Sequence, residues 1–288
     1  MTTNPIKRVS VISTGTVVIH PQHVRSGGTP QMWWLLTSRQ WTDPLPINVY
    51  VIEHEDGLIL FDTGQDRAAV TDPEYYPGGF TGHIYRRIGR FNIEARDTLA
   101  AQLAKIGYDI ADVRTAVFSH LHPDHAGGVG QLRHADLVVS DQEWEALISR
   151  KADMMGLMRN HVDLVGLRWQ RISPQPTQDP SLRPFTHAHD LLGDGSLTLL
   201  PTPGHTPGSM SLLVRQPDSA PLLMVGDVTY DIHVLNEGRL PGMGNRRQMK
   251  ETTDTIQELR KVHPDLVLLP AHDPDAASRL TAANLARI

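Results

Sequence analysis

Ser119-His120-Leu121-His122-Pro123-Asp124-His125-Ala126-Gly127-Gly128 follows directly on the apolar run Thr115-Ala116-Val117-Phe118, and its reading decides the fold. Four of the six side chains from His120 to His125 are nitrogen or oxygen ligands for a metal. In an extended segment, residues two apart project to the same side, so His120 and His122 can grip one ion together. Asp124 and His125 come where the chain must turn, with Gly127 and Gly128 freeing the backbone, and so can face a second ion. Working outward, other turns supply groups of the same kind. His205 sits in Pro203-Gly204-His205-Thr206-Pro207-Gly208, a tight turn where an imidazole gains nothing from core packing. Asp227 follows the apolar run 222–226, and a carboxylate there is costly unless paired or on a metal. His272 ends a third buried run, 266–271, in the same way. All of these lie at strand C-termini, where an α/β architecture places its site.

The composition narrows the chemistry. The 288 residues include no cysteine, which excludes disulfides, thiolate nucleophiles, iron–sulfur clusters and sulfur-ligated zinc fingers. They include 15 histidines. At 40% hydrophobic and 20% charged, the chain can bury a sizeable core, hiding roughly 75% of its unfolded surface, and residues 1–288 read as a single domain. A net charge of −5, from 27 basic and 32 acidic residues, gives no footprint for nucleic acid or an anionic membrane. Arg86, Arg87 and Arg90 read as a solvated face. No segment approaches the roughly 20 apolar residues of a membrane span. Residues 1–10 lack a signal-peptide apolar stretch behind them, so the expected location is cytoplasmic.

Alternating runs predict strands over 9–19, 48–53 and 58–61, with long irregular loops at about 21–46 and 65–92. Helical spacing of Leu99, Leu103 and Ile106 ends at Gly107. Strands over 115–118 and 136–140 follow, then a helix over 141–150 capped by Asp141 and a Met-rich helix over 152–161. Further strands are expected over 165–172, 196–200, 209–215 and 222–225. Helices over 248–262 and 275–288 flank a strand at 266–269, and the Pro-rich stretch 174–184 is the one loop that might mark a boundary. This order suggests two similar halves packed sheet to sheet with helices outside, a four-layer α/β arrangement.

The motif His120-x-His122-x-Asp124-His125, followed by His205, Asp227 and His272, resembles the metallo-β-lactamase superfamily of binuclear hydrolases. The likeness covers about 47–272 and includes Phe61-Asp62-Thr63-Gly64. It implies an αββα sandwich of two mixed β-sheets. It implies that His120, His122 and His205 bind one metal, that Asp124, His125 and His272 bind the other, and that Asp227 bridges them. The ions would be two divalent cations, zinc first, with iron, cobalt or manganese as alternatives. Asp62 would orient the ligand loop, or else cap the Thr63-Gly64 turn. Tyr230, three residues after Asp227, is similar to the tyrosine of the N-acyl homoserine lactonases, the quorum-quenching branch, whose phenol faces the substrate carbonyl. The stretch 21–46, with Trp33, Trp34 and Trp41, departs from the shorter lactonases.

On this reading a hydroxide bridging the ions attacks the lactone carbonyl, since paired ions lower the pKa of bound water and hold both reacting oxygens. Tyr230 steadies the oxyanion and Asp124 carries the proton to the leaving alkoxide. Trp33, Trp34, Tyr76, Phe80, Met154, Met155 and Met158 are candidates for the acyl trough, while the paired tryptophans could equally form a homodimer contact. His20, His23, His83, His134 and His233 are expected at the surface. The alternatives keep the metals and change the substrate: a thioester hydrolase like glyoxalase II with Arg246, Arg247 and Lys250 as its anion site, an organophosphate hydrolase, or a lactonase of another ring. An iron-dependent redox protein is a further alternative, because side-chain identity alone does not fix the metal.

Overall fold

The computed structural model describes residues 4–285, so the outermost residues of the first and last expected segments, 1–3 and 286–288, lie outside the described residues. Seven strands form one mixed sheet: β1 (Ile6–Ile19), β2 (Leu45–His54), β3 (Gly57–Phe61), β4 (Gly89–Asn92), β5 (Val113–Val117), β6 (Asp136–Ser140) and β7 (Arg168–Ile172), in the order β4-β1-β2-β3-β5-β6-β7. Six form the other: β8 (Gln175–Pro176), β9 (His187–Asp190), β10 (Leu197–Pro201), β11 (Met210–Val214), β12 (Leu222–Gly226) and β13 (Val267–Pro270), in the order β13-β12-β11-β10-β9-β8. Pairing is parallel for β3–β5, β5–β6, β6–β7 and β12–β13, and antiparallel elsewhere.

Strand periodicity builds the layers. In β3, Ile59 and Phe61 face the second sheet, where they meet Leu199, Leu212 and Met224, while Leu58 and Leu60 pack on the opposite face. Side chains on a strand alternate between faces, so a run that is apolar at every position marks a strand covered on both sides. In β12 the same rule sends Leu222 and Met224 to the partner sheet and Leu223 and Val225 outward. The helices supply the outer layers. They are α1 (Pro21–Val24), α2 (Gln31–Thr37), α3 (Ala68–Thr71), α4 (Gly79–Ile88), α5 (Leu99–Lys105), α6 (Pro123–Ala126), α7 (Asp141–Ile148), α8 (Arg159–Val162), α9 (Ile232–Asn236), α10 (Arg246–Val262) and α11 (Ala276–Leu285). Leu99, Leu103 and Leu147 cover the first sheet, and Ile256 and Leu259 of α10 cover the second. The result is the four-layer αββα sandwich.

Several local expectations are corrected. The stretches 21–46 and 65–92 are not plain loops, because α1, α2, α3, α4 and β4 lie in them. Their helices are too short to print a clear period between the prolines and glycines that bound them. The helix over 141–150 is capped by Ser140, whose hydroxyl accepts from Glu143 N, and Asp141 is the first helical residue. The Met-rich helix is split into a 3-10 turn, Ala152–Met155, and α8 by Gly156, whose left-handed φ of +79° ends the first turn. Arg87 is not free on the surface, since it donates to the carbonyls of Leu35 and Ser38 and ties α2 to α4.

Candidate metal centre

His120 and His122 leave the end of β5, and Asp124 and His125 stand in α6. His205 occupies the turn between β10 and β11, Asp227 follows β12 and His272 follows β13. These ends meet at one edge of the sandwich. His120 Nε2 and His205 Nε2 each lie 3.0 Å from His122 Nδ1. His272 Nε2 lies 3.5 Å from an oxygen of Asp124, and His125 Nε2 lies 4.0 Å from the other. Asp227 stands between: Oδ2 is 3.5 Å from His205 Nε2, while Oδ1 is 3.3 Å from His125 Nε2 and 3.5 Å from His272 Nε2. The seven residues predicted from the sequence are therefore gathered in one place.

For His120, His122, His125 and His272 the far side of the ring fixes which nitrogen carries the proton, whereas His205 Nδ1 is buried without a partner. His122 Nε2 donates to Met155 O at 2.7 Å and His272 Nδ1 to Pro46 O at 2.9 Å. His125 Nδ1 donates to Asp62 Oδ2 at 2.8 Å. Ser119 spends its hydroxyl hydrogen on the same oxygen, at 2.8 Å, and so accepts from His120 Nδ1 at 3.0 Å. Lone pairs of His120 Nε2 and His122 Nδ1 consequently point at each other, an arrangement that needs a cation between them. His125 Nε2 and Asp227 Oδ1 are buried without a hydrogen-bond partner, although buried polar atoms normally have one. Those orphaned donors fit divalent metal. Asp62 has a left-handed φ of +64° and also accepts from Ser119 N at 2.7 Å, so among the described residues its side chain bonds to Ser119 and His125 and not to the Thr63-Gly64 turn.

Charge follows the same division. Burial lowers the pKa of His205 to about 3 and, with His125 and the other imidazoles, holds His120 well below its ordinary value. Burial works against ionisation of Asp227, but His272 and His125 outweigh it and keep the carboxyl well below the usual range. The centre thus offers neutral imidazoles at His120 and His205 beside a carboxylate, while at His125 burial is outweighed by the neighbouring Asp227 and Asp62, which hold the imidazole well above its ordinary value. Burial and the neighbouring Asp227 push the Tyr230 phenol up, so it remains a hydrogen donor at neutral pH. Its ring stacks on His272 with centroids 5.4 Å apart.

A cleft opens over the cluster, walled by Val17, Ile19, Ile88, Phe91 and Met243 with Tyr76, Tyr85, Tyr230 and His23. A wider groove continues from it past Met32, Leu35, Phe80, Ile84, Met154 and Met155. Phe80 is 66% exposed and lines this groove. Trp33 points into solvent and Trp34 is buried behind His23, against whose ring its edge packs at 4.7 Å, so neither lines cleft or groove among the described residues. Met158 is buried beside Tyr75 and Tyr85. Sequence reasoning missed His23 and His20, which are both buried, whereas His83, His134 and His233 are exposed as expected. His20 is sandwiched with Trp41 at 4.1 Å. The His-x-x-His spacing at a proline-started helix was the one signal for this pair.

The family model described as the metallo-beta-lactamase superfamily matches residues 42–272. The N-acyl homoserine lactonase AttM of Rhizobium radiobacter is 33% identical over 240 residues, 81% of this chain and 83% of that protein. Among solved structures, an N-acyl homoserine lactone hydrolase with the product N-hexanoyl-L-homoserine bound at its catalytic metal centre superposes with a TM-score of 0.74 at 24% identity, covering 94% of each chain. AidC, a dizinc quorum-quenching lactonase, gives 0.62 at 14% identity over 95% of this chain and 92% of its own. With four layers, a convergent donor set and this match, the chain belongs to the metallo-β-lactamase superfamily.

Proposed function

We infer that this protein is a metal-dependent hydrolase that opens the lactone ring of N-acyl homoserine lactones, as one domain holding two divalent ions, most simply zinc. The observation that carries the reading is Asp227: its two oxygens face separate donor sets, His205 with His120 and His122 on one side and His125, His272 and Asp124 on the other. When bound there, the ions supply Lewis acidity and an activated water.

The chain's own residues supply the rest. Tyr230, protonated and held against His272, donates to the oxygen of the lactone carbonyl as charge develops on it. Asp124 is, with His122, one of the two half-buried members of the donor set and lines the cleft, so it can pass a proton to the leaving ring oxygen. The apolar walls exclude water, and the groove past Phe80 accommodates an acyl chain. The product is the ring-opened hydroxy acid.

The thioester alternative is weakened at two of its three anion-site cations, Arg246 being the third, which donates to Ser26 Oγ at 3.3 Å. Arg247 and Lys250 pair with Glu251 and Asp254 on their own helix. Proton release in a pH-stat, with an N-acyl homoserine lactone, a thioester and a phosphotriester in parallel, tests the reading. Acid release from the lactone at a rate that tracks bound divalent metal is expected. Preference for either other substrate would overturn it.

A further inference from the structure

The His120–His125 loop and the His205 turn come from different sheets, and one buried side chain touches both. Glu143 lies in the first turn of α7 with no exposed surface. Ser140-x-x-Glu143 has the pattern of a capping box, in which the glutamate reaches back to the N-cap backbone. Only half of that device forms: Glu143 N donates to Ser140 Oγ at 3.1 Å. The carboxylate turns the other way. Oε1 accepts from Leu121 N, between His120 and His122, at 3.0 Å. Oε2 accepts from Thr206 Oγ1, directly after His205, at 2.7 Å and from Gly208 N at 3.1 Å. Ser140 Oγ completes the tie by donating to Gly208 O at 2.7 Å. The approach is so close that a Cβ on Gly208 would lie 2.1 Å from Glu143 N.

A carboxyl group removed from water is costly unless its oxygens are fully engaged, and here the engagement is spent on the two loops that carry His120, His122 and His205. We propose that Glu143 is the positioning residue for this half of the metal centre, setting the distance between a loop of the first sheet and a turn of the second so that three imidazoles converge. The inference rests on the ligand assignment made above. It separates the two halves: no hydrogen bond of Glu143 reaches the elements bearing Asp227 or His272 among the described residues.

Cobalt titration of stripped protein, read by its visible absorption and by metal content, tests this on the wild type, Glu143→Gln and Leu147→Ala. Glutamine keeps the shape but places an N–H against the N–H of Leu121 or Gly208. Leu147→Ala loosens the same helix through the core alone. Two equivalents are expected for the wild type. Glu143→Gln should weaken one of them about 10–100-fold and leave the absorption of the other intact. Leu147→Ala should lower the melting midpoint and keep both. Wild-type behaviour of Glu143→Gln, or loss of the same equivalent in Leu147→Ala, overturns the proposal. If Glu143→Gln does not fold, Thr206→Val removes a single tie: a smaller weakening of one equivalent supports the clamp and an unchanged titration overturns it. A wild type that takes fewer than two equivalents overturns the ligand assignment and the clamp together, whereas two equivalents of wild-type affinity in every variant overturn the clamp alone.

Discussion

Gly156 shows how little slack surrounds the histidines. A methyl group there would lie 2.9 Å from His122 Nε2, at a φ of +79° that side chains rarely adopt. Gly156→Ala is therefore expected to tilt His122 off Met155 O and lower metal affinity about 10–100-fold, measured by competition with a chromophoric chelator; unchanged affinity would refute the packing argument. Tyr230→Phe should keep the metal and lose about 10²–10³-fold in kcat, the usual cost of one oxyanion donor. An unaltered rate would remove the phenol from the mechanism. His23 makes a prediction about acid. Burial, reinforced by His20, lowers its pKa from 6.5 to about 3. Between those values the unfolded chain binds a proton that the folded chain refuses, so stability falls as pH drops through this window. Metal-free His23→Phe should melt with a shallower acid limb than the metal-free wild type, and parallel limbs would contradict this. The seven clustered donors were legible in the sequence because their chemistry is crowded into one motif or stranded at the ends of apolar runs. His23 was not, because Trp34, whose ring packs on it, comes from a different helix.

Elements divide in the same manner. Strands such as β3 and β12 announce themselves through unbroken apolar runs. By contrast α2 and α4, with seven and ten residues, owe their form to mutual packing and to Arg87 spanning them, a contact no local pattern encodes. Isolated helices of that length are marginal in water. These two short helices build much of the outer groove, and so its wall was the least legible part of the site: Trp33 and Trp34 drew attention by composition, while Leu35 and Ile84 line the groove. Phe80→Ala on α4 is expected to raise KM for a decanoyl substrate several-fold, at about 0.8 kcal/mol per uncovered methylene, and to spare a butanoyl substrate. Equal effects on both chains would place the acyl tail elsewhere.

At the scale of the whole molecule, the order of strand-rich and helical segments was enough to suggest two facing sheets, since each apolar strand needs cover on both sides. The donors' place at strand C-termini pointed to a common edge, and that edge depends on β3, β5, β10, β12 and β13 all ending on one side. Because that edge collects donors from both sheets, chelation is expected to lower the melting midpoint. An ion present at 100 times its Kd contributes about 2.7 kcal/mol, and each kcal/mol moves the midpoint about 2–4 °C in a large domain, so a shift of at least about 5 °C per site is predicted by calorimetry. A midpoint indifferent to chelator would show the edge to be held without ions. The chain also keeps its sheets apart in sequence: β1–β7 end at Ile172 and β8 begins at Gln175. A single nick there would leave one fragment with His120, His122, Asp124 and His125 and the other with His205, Asp227 and His272. Neither would possess a working reaction centre, so catalysis belongs to the seam between two half-proteins and reports on whether they have closed.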